Sequence, residues 1–332
     1  MTKIKDIGEQ GLLAKLQSFC PPEIIGDDAA VLETAPGTSL VVTTDVLVDG
    51  VHFSDATTSP EDAGWRAAAA NLSDLAAMGA SPLGVTVGLG LPGDLQVSWV
   101  ERLYQGMTEC LQKYHTPIVG GDVVRSPTAT ISITAFGQVD PQRIIRRSAA
   151  KVGMAIVVTG VHGASHAGLQ LLLHPQLGQN LSPAEKTALI KVHQRPQPRL
   201  DVLPTLWEIV TSPLPVAGMD SSDGLADAVL QICRASNVGA VIERQQIPFP
   251  ATFTNWLKPE QAIEYALYGG EDFELVLCLP PTQANTLVQQ LNQDAAIIGT
   301  ITSGSQVLLH DQYQKIPDQV LSLSQGFQHF SP

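Results

Sequence analysis

The chain has 332 residues, more than one hydrophobic core ordinarily organises, so two α/β domains of about 150 residues each are expected. Its net charge of −13 excludes nucleic acid as a partner class, because phosphate backbones are held by a surplus of Lys and Arg that this chain lacks. Hydrophobic residues make up 44% of it, but Gly, Pro and Asp break them into runs shorter than the roughly 18 residues a membrane span needs, and MTKIKDIGEQ lacks a secretory pattern; a cytoplasmic protein with no membrane partner is expected.

In chain order, helical spacing over residues 7–19 precedes a polar turn and a strand rich in Val and Thr at 39–45. Residues 60–78 read as an Ala-rich helix, with Pro60 as a start signal and Gly79 as a stop. Strands are expected at 83–91, 117–121 and 129–139, the last from its period-two alternation, and a long helix at 94–115 separates the first two. The basic, irregular stretch PQRIIRRSAAK at 141–151 interrupts the pattern, which places the domains at 1–146 and 147–332. A strand at 154–159, a helix after Gly163, a helix near 183–193 and a Pro-rich loop through Pro198 follow. Helix, strand and helix around 220–236, then strand, helix and strand, complete the second half. Cys20, Cys110, Cys233 and Cys278 lack the paired spacing of a zinc or redox site and read as buried thiols in a reducing compartment.

The informative pattern is Asp recurring where strands end or helices begin. Asp27 and Asp28 lie in GDDAAVL, Asp45 in VVTTDVLVDG, Asp74 in NLSDLAAMG, Asp122 in VGGDVVRS, and Asp220 and Asp223 in GMDSSDG. Taken singly, each is as well explained by a turn or a helix cap. Taken together, they form a set of hard oxygen ligands suited to Mg²⁺, which is usually held by a few carboxylates plus substrate phosphates.

Other motifs carry less. GLGLPG, from Gly88 to Gly93, matches a dinucleotide fingerprint in form only, since Pro92 removes a backbone donor and no N-terminal βαβ unit surrounds it; it reads as a strand end and turn. No Walker-type phosphate loop occurs. TGVHGASHAGL reads either as a strand-to-helix turn that meets an anion or as close backbone packing. Among the histidines only His52, just beyond Asp45 in DGVHF, stands near a candidate metal strand; His162, His166 and His193 read as packing residues.

GDDAAVL, TTDVLVDGVHF, NLSDLAAMGASP, GGDVVRSP, SSDGL and YGGEDFEL, in this order and at these distances, closely resemble the thiamine-monophosphate kinase family. That family shares a superfamily with aminoimidazole ribonucleotide synthetase and selenophosphate synthetase, and the resemblance runs from Gly26 to GFQHF near the C-terminus. It implies a two-domain α/β (α+β) fold of the aminoimidazole ribonucleotide synthetase type, a homodimer that shares its N-terminal sheet, and a C-terminal α/β sandwich domain. The implied activity is Mg²⁺-dependent transfer of the γ-phosphoryl group of ATP to thiamine phosphate. By position within matching motifs, the resemblance implies Asp28, Thr43, Thr44, Asp45, Asp74, Asp122, Asp220 and Asp223 as metal ligands. It likewise implies Tyr104, Gly121, Asp122, Arg147 and Ser222 as nucleotide contacts, and His52, Glu271 and Phe327 as the thiamine-phosphate pocket. The chain departs from the family pattern at Ser221, where an apolar residue is usual, while Asp220 and Asp223 keep their spacing.

This chemistry suits these residues. Two unit charges about 4 Å apart repel by roughly 4 kcal/mol at an effective dielectric of 20, and both reactants are anions. An acidic chain offsets this only through cations that its carboxylates place, with Asp45, Asp122 and Asp223 acting through metal. The nucleophile is a phosphate oxygen, already ionised, so no general base is needed. The alternatives are another ATP-using synthetase of the superfamily, or a binding protein without catalysis that kept the fold.

Overall fold

The computed structural model describes residues 2–21, 32–211, 214–291 and 294–322. Asp27, Asp28 and Phe327 lie outside the described residues. The chain divides into two units, Met1–Leu75 with Ala80–Asp140, and Ala76–Gly79 with Pro141–Pro332. The cut falls ahead of the expected 146/147 junction because residues 145 and 146 are already built into the second unit. Ile145 is fully buried in its core, and Arg146 exchanges backbone hydrogen bonds with Val216 and Gly218.

The first unit contains α1 (Ile4–Leu16), β1 (Ser39–Val48), α2 (Pro60–Ala77), β2 (Ser81–Leu91), α3 (Val97–Lys113), β3 (Ile118–Arg125) and β4 (Thr130–Val139), the last two residues of α2 grouping with the second unit. Helix α1 is broken at Gly8, whose φ of 66° and ψ of −177° are open to glycine. The strands form one sheet in the order β1-β4-β2-β3, antiparallel except for β2 with β3. Alternation decides its two faces: Ile131, Ile133 and Ala135 of β4 are fully buried beneath α2, while Leu40, Val42 and Val46 of β1 are about half exposed on the other side. Helix α3 repeats Val97, Val100, Leu103, Tyr104, Met107 and Leu111 on its buried face. It meets α2 backbone to backbone, and a Cβ on Gly64 or Gly106 would collide with the carbonyl of Leu103 or Glu61 respectively.

The second unit contains β5 (Ala155–Val158), α4 (Ala164–Leu173), α5 (Pro183–Gln194), α6 (Val202–Ile209), β6 (Ala217–Asp220), α7 (Leu225–Ser236), β7 (Gly239–Glu243), α8 (Phe253–Trp256), α9 (Pro259–Tyr268), β8 (Leu275–Leu279), α10 (Pro281–Leu291), β9 (Ala296–Thr302), β10 (Val307–His310) and β11 (Gln319–Val320). Its seven-stranded sheet runs β11-β10-β7-β9-β5-β8-β6. Both faces of the central strands are covered, so they read as unbroken apolar runs, AIVV and LVLCL. Period two divides them: Ile156, Val158, Val276 and Cys278 join the core under α7, and Ala155, Val157, Leu275 and Leu277 the core under α6 and α10. A third cluster, with Leu171, Leu189 and Phe253, fills the space among α4, α5 and α8.

Candidate active site

In the first unit the β1 pattern TTDVLVDG sets two polar groups against α2. Thr43 and Asp45 lie two residues apart on the helix-covered face of the strand, and the Thr43 hydroxyl donates to the Asp74 carboxylate. Asp74 projects from α2, partly exposed where its neighbours Leu72 and Leu75 are fully buried. At the end of β1 the chain turns back, and His52 Nδ1 accepts the Val48 N–H at 3.0 Å. That bond fixes the neutral tautomer with its proton on Nε2.

Thr44 and Asp122 are placed otherwise. Asp45 pairs across the sheet in a row with Ile133, Val87 and Gly121, whereas Val46, Ser132, Gly88 and Asp122 form the next row. Successive rows point to opposite faces, so Asp122 stands on the open side, with Thr44, whose hydroxyl meets that of Thr134 at 2.8 Å. Gly121 has no room for a Cβ against the Val87 carbonyl. The Tyr104 ring is 4% exposed and packs on Phe19 at 5.4 Å, and burial pushes its phenol well above the ordinary value.

In the second unit SSDG and GGED form two loops bound to each other. Ser222 Oγ donates to Asp220 Oδ1 at 3.0 Å, and Asp220 is 3% exposed at the end of β6 while Asp223 is exposed. The Glu271 N–H donates to the Ser222 carbonyl at 2.7 Å, and Ser221 and Glu274 exchange bonds of 2.8 and 3.2 Å. This pairing holds Glu271 and Phe273 at φ of 68° and 53°, left-handed values that cost a side-chain-bearing residue about 1 kcal/mol or more. Asp272 is buried and accepts the N–H groups of Gly163 and Ser165 at 2.6 and 2.8 Å, closing the N-terminus of α4. Burial pushes its carboxyl up to about 7, against the pull of those two donors.

Beneath the loops lies an ion pair that sequence reasoning did not find. Arg199 Nη1 donates to Glu274 Oε2 at 2.5 Å and to the Thr159 carbonyl at 2.7 Å, and the Thr159 hydroxyl donates to the same Glu274 oxygen at 2.5 Å. Burial works against the Arg199 charge, but Asp201 and Glu274 outweigh it and raise its pKa. Arg147 is exposed at the start of a short turn whose carbonyl accepts the Ser236 hydroxyl of α7 at 2.8 Å. Its charge reaches Asp227, whose carboxyl is raised first by burial and then by Asp223.

The donors suit a hard divalent cation. Thr43, Asp45 and Asp74 offer oxygen alone, and among the described residues no three His, Cys, Asp or Glu side chains gather to cage a metal by themselves. Mg²⁺ is commonly bound in just this way, by one or two carboxylates with phosphate and water completing the shell.

Two family models match the chain: AIR synthase related protein, N-terminal domain, over residues 26–139, and the corresponding C-terminal domain over residues 151–311. Thiamine-monophosphate kinase of Synechococcus elongatus is 52% identical, covering 99% of this chain and 98% of that one. The crystal structure of thiamine-monophosphate kinase from Stenotrophomonas maltophilia is 32% identical with a TM-score of 0.78, covering 90% of this chain and 94% of that one. A solved structure of AaThiL complexed with AMPPCP and TMP is 32% identical with a TM-score of 0.73, covering 96% and 99%. By its two domains and by these full-length relatives, the chain belongs to the thiamine-monophosphate kinases of the AIR synthase related family.

Proposed function

We propose that the chain transfers the γ-phosphoryl group of ATP to thiamine phosphate, giving thiamine diphosphate and ADP. The observation that carries the reading is the oxygen-donor group of Thr43, Asp45 and Asp74 on one face of β1 and α2, in a chain 52% identical to a thiamine-monophosphate kinase. An oxygen of the acceptor phosphate bonds to the γ-phosphorus as the bond to the β,γ-bridging oxygen breaks, and ADP leaves with that electron pair. No side chain needs to take a proton, because the attacking oxygen is already ionised.

Bound Mg²⁺ would neutralise the phosphate charge that otherwise keeps the reactants apart. We assign Thr43, Asp45 and Asp74 to hold ions on the helix-covered face of the first sheet, Thr44 and Asp122 to hold them on its open face, and Asp28, Asp220 and Asp223 as further ligands. The hydrogen bond from Thr43 orients the Asp74 carboxylate before any ligand arrives, which is the kind of preorganisation that alignment-driven phosphoryl transfer requires. Arg147 supplies the one cationic side chain in the proposed nucleotide set, which also takes in Tyr104, Gly121, Asp122 and Ser222. His52, Glu271 and Phe327 are assigned to thiamine phosphate, whose cationic ring makes a carboxylate a suitable neighbour.

We also assign a homodimer formed through the open face of the first sheet. Leu40, Val42, Val46 and Val124 are 54%, 53%, 47% and 57% exposed on that face, an apolar surface that a second copy would cover. Val42→Glu is expected to yield a monomer by sedimentation, and an unchanged mass for both proteins would remove this interface. Among the described residues no helix is long and apolar enough to cross a membrane, and the expected location is the cytoplasm.

The test of the activity is ADP release across thiamine, thiamine phosphate and thiamine diphosphate, with and without Mg²⁺. Release that requires both thiamine phosphate and Mg²⁺ supports the kinase; binding without ADP would leave a binding protein, and ADP release with an unrelated acceptor another synthetase. Inversion at a chiral γ-phosphorus supports direct transfer, and net retention a phosphoenzyme.

A further inference from the structure

The Glu271 carboxylate does not hang free over the GGED loop. Its side chain is 32% exposed, and on its covered side Oε2 lies 3.5 Å from Nδ1 of His193. His193 comes from the last turn of α5, 1% exposed, and the same Nδ1 lies 3.1 Å from the hydroxyl of Ser165. Ser165 is fully buried in the first turn of α4, and its own N–H is held by Asp272, the residue after Glu271. Three elements therefore meet on one imidazole nitrogen: α4 through Ser165, α5 through His193, and the loop through Glu271.

A glutamate on a loop has several rotamers, and ordering it on ligand binding costs about 1 kcal/mol or more. Here the backbone of Glu271 is already fixed at a left-handed φ of 68° by the bond to Ser222, and the buried imidazole gives its carboxylate a lateral contact. With the proton on Nδ1, the ring donates to Ser165 Oγ and presents the positive end of its N–H dipole to Glu271. That contact gives the carboxylate a fixed lateral partner in the orientation it holds.

We infer that His193 is a positioning residue for acceptor recognition: with Ser165 it holds the Glu271 carboxylate ready for the cationic ring of the acceptor, without touching the acceptor itself. This rests on the reading of Glu271 as an acceptor contact, and it gives a role to a histidine whose sequence context marked only packing.

The experiment is steady-state kinetics on the full chain with thiamine phosphate and ATP varied separately, since KM does not depend on how much of a variant is folded. His193→Leu is expected to raise the KM for thiamine phosphate about ten-fold, the low end for losing a contact to a charged group, and to leave the KM for ATP unchanged. His193→Asn, whose amide nitrogen stands near the position of Nδ1, is expected to recover most of that loss. Ser165→Ala, a smaller change to the fold, should raise the same KM about three-fold. In a Glu271→Gln background, His193→Leu should add nothing further. An equal rise in both KM values, a loss confined to stability, or additive effects of Glu271→Gln and His193→Leu would overturn the inference. The two readings are separable: if Glu271→Gln leaves the acceptor KM unchanged, the pocket assignment falls and this inference with it. If Glu271→Gln raises that KM and His193→Leu does not, only the role of His193 falls.

Discussion

The two units build their functional residues in opposite ways. In the first, Thr43, Asp45 and Asp74 sit on regular elements, and their placement follows from the alternation of β1 and the spacing of α2. In the second, Asp220 ends β6, and Ser222, Asp223 and Glu271 sit on two irregular loops that are held by each other, by a strained backbone and by buried charge. A carboxylate that must accept a cation can be left on a regular strand with little support, because the ligand completes its shell. Loops that must keep one shape before a ligand arrives need fixed partners of their own. Damage to the first region should therefore show in rate, and damage to the second in stability or in acceptor KM.

The largest expected effect is on the first side of this contrast. Asp74→Asn keeps the shape and the Thr43 hydrogen bond but removes the charge, and kcat should fall by about 10²–10³-fold, the scale of losing one preorganised electrostatic group. Its melting temperature should hold within a few degrees; a loss of fold in place of rate would blur the division. Arg199→Met is the counterpart in the second unit. It leaves the Glu274 carboxylate without its cation beneath the loops, and urea unfolding should report a loss of about 3 kcal/mol.

Asp272 sharpens the contrast through pH. Its carboxyl is raised to about 7 from an unfolded value of 3.8, so between those values the unfolded chain has lost the proton that the folded chain keeps. The stability it contributes is complete below the unfolded value and is lost as pH rises through about 7. Relative to Asp272→Asn, the wild-type chain should lose at most about 1.4 kcal/mol per pH unit over that window and level off above it. Parallel unfolding curves for the two proteins from pH 5 to 8 would show that the two backbone donors hold the carboxylate ionised throughout.

The smallest effect separates stability from function at one residue. Glu271→Gly removes the penalty of a left-handed φ and should stabilise the chain by about 1 kcal/mol, while the KM for thiamine phosphate rises. A destabilised Glu271→Gly would mean that the side chain contributes more to the fold than its backbone strain costs.

Much of this was legible before folding. Period-two alternation gave β4, a run rich in Val and Thr gave β1, and Ala content with Pro60 and Gly79 gave α2. Short elements escaped: β7, β10, β11 and α8 span two to five residues, too few for a period to register, and α9 follows α8 after a two-residue break. In YGGEDFEL the glutamate drew attention and Asp272 beside it did not, because an acid that caps a helix more than a hundred positions upstream has no local signature.

By itself the sequence determined that the chain is acidic, has two α/β halves and repeats aspartates in short motifs, because composition and periodicity are local properties. The expected places at element ends held for Asp220, while Asp45, Asp74 and Asp122 lie within β1, α2 and β3. Tertiary structure alone decided which acids share a face. A bulge between Val85 and Thr86 shifts β3 by one residue against β2, and since side chains alternate with period two, that single step sends Asp122 to the face opposite Asp45. Tertiary structure also brought His193, Ser165 and Glu271 to one point, from three segments that no spacing rule connects.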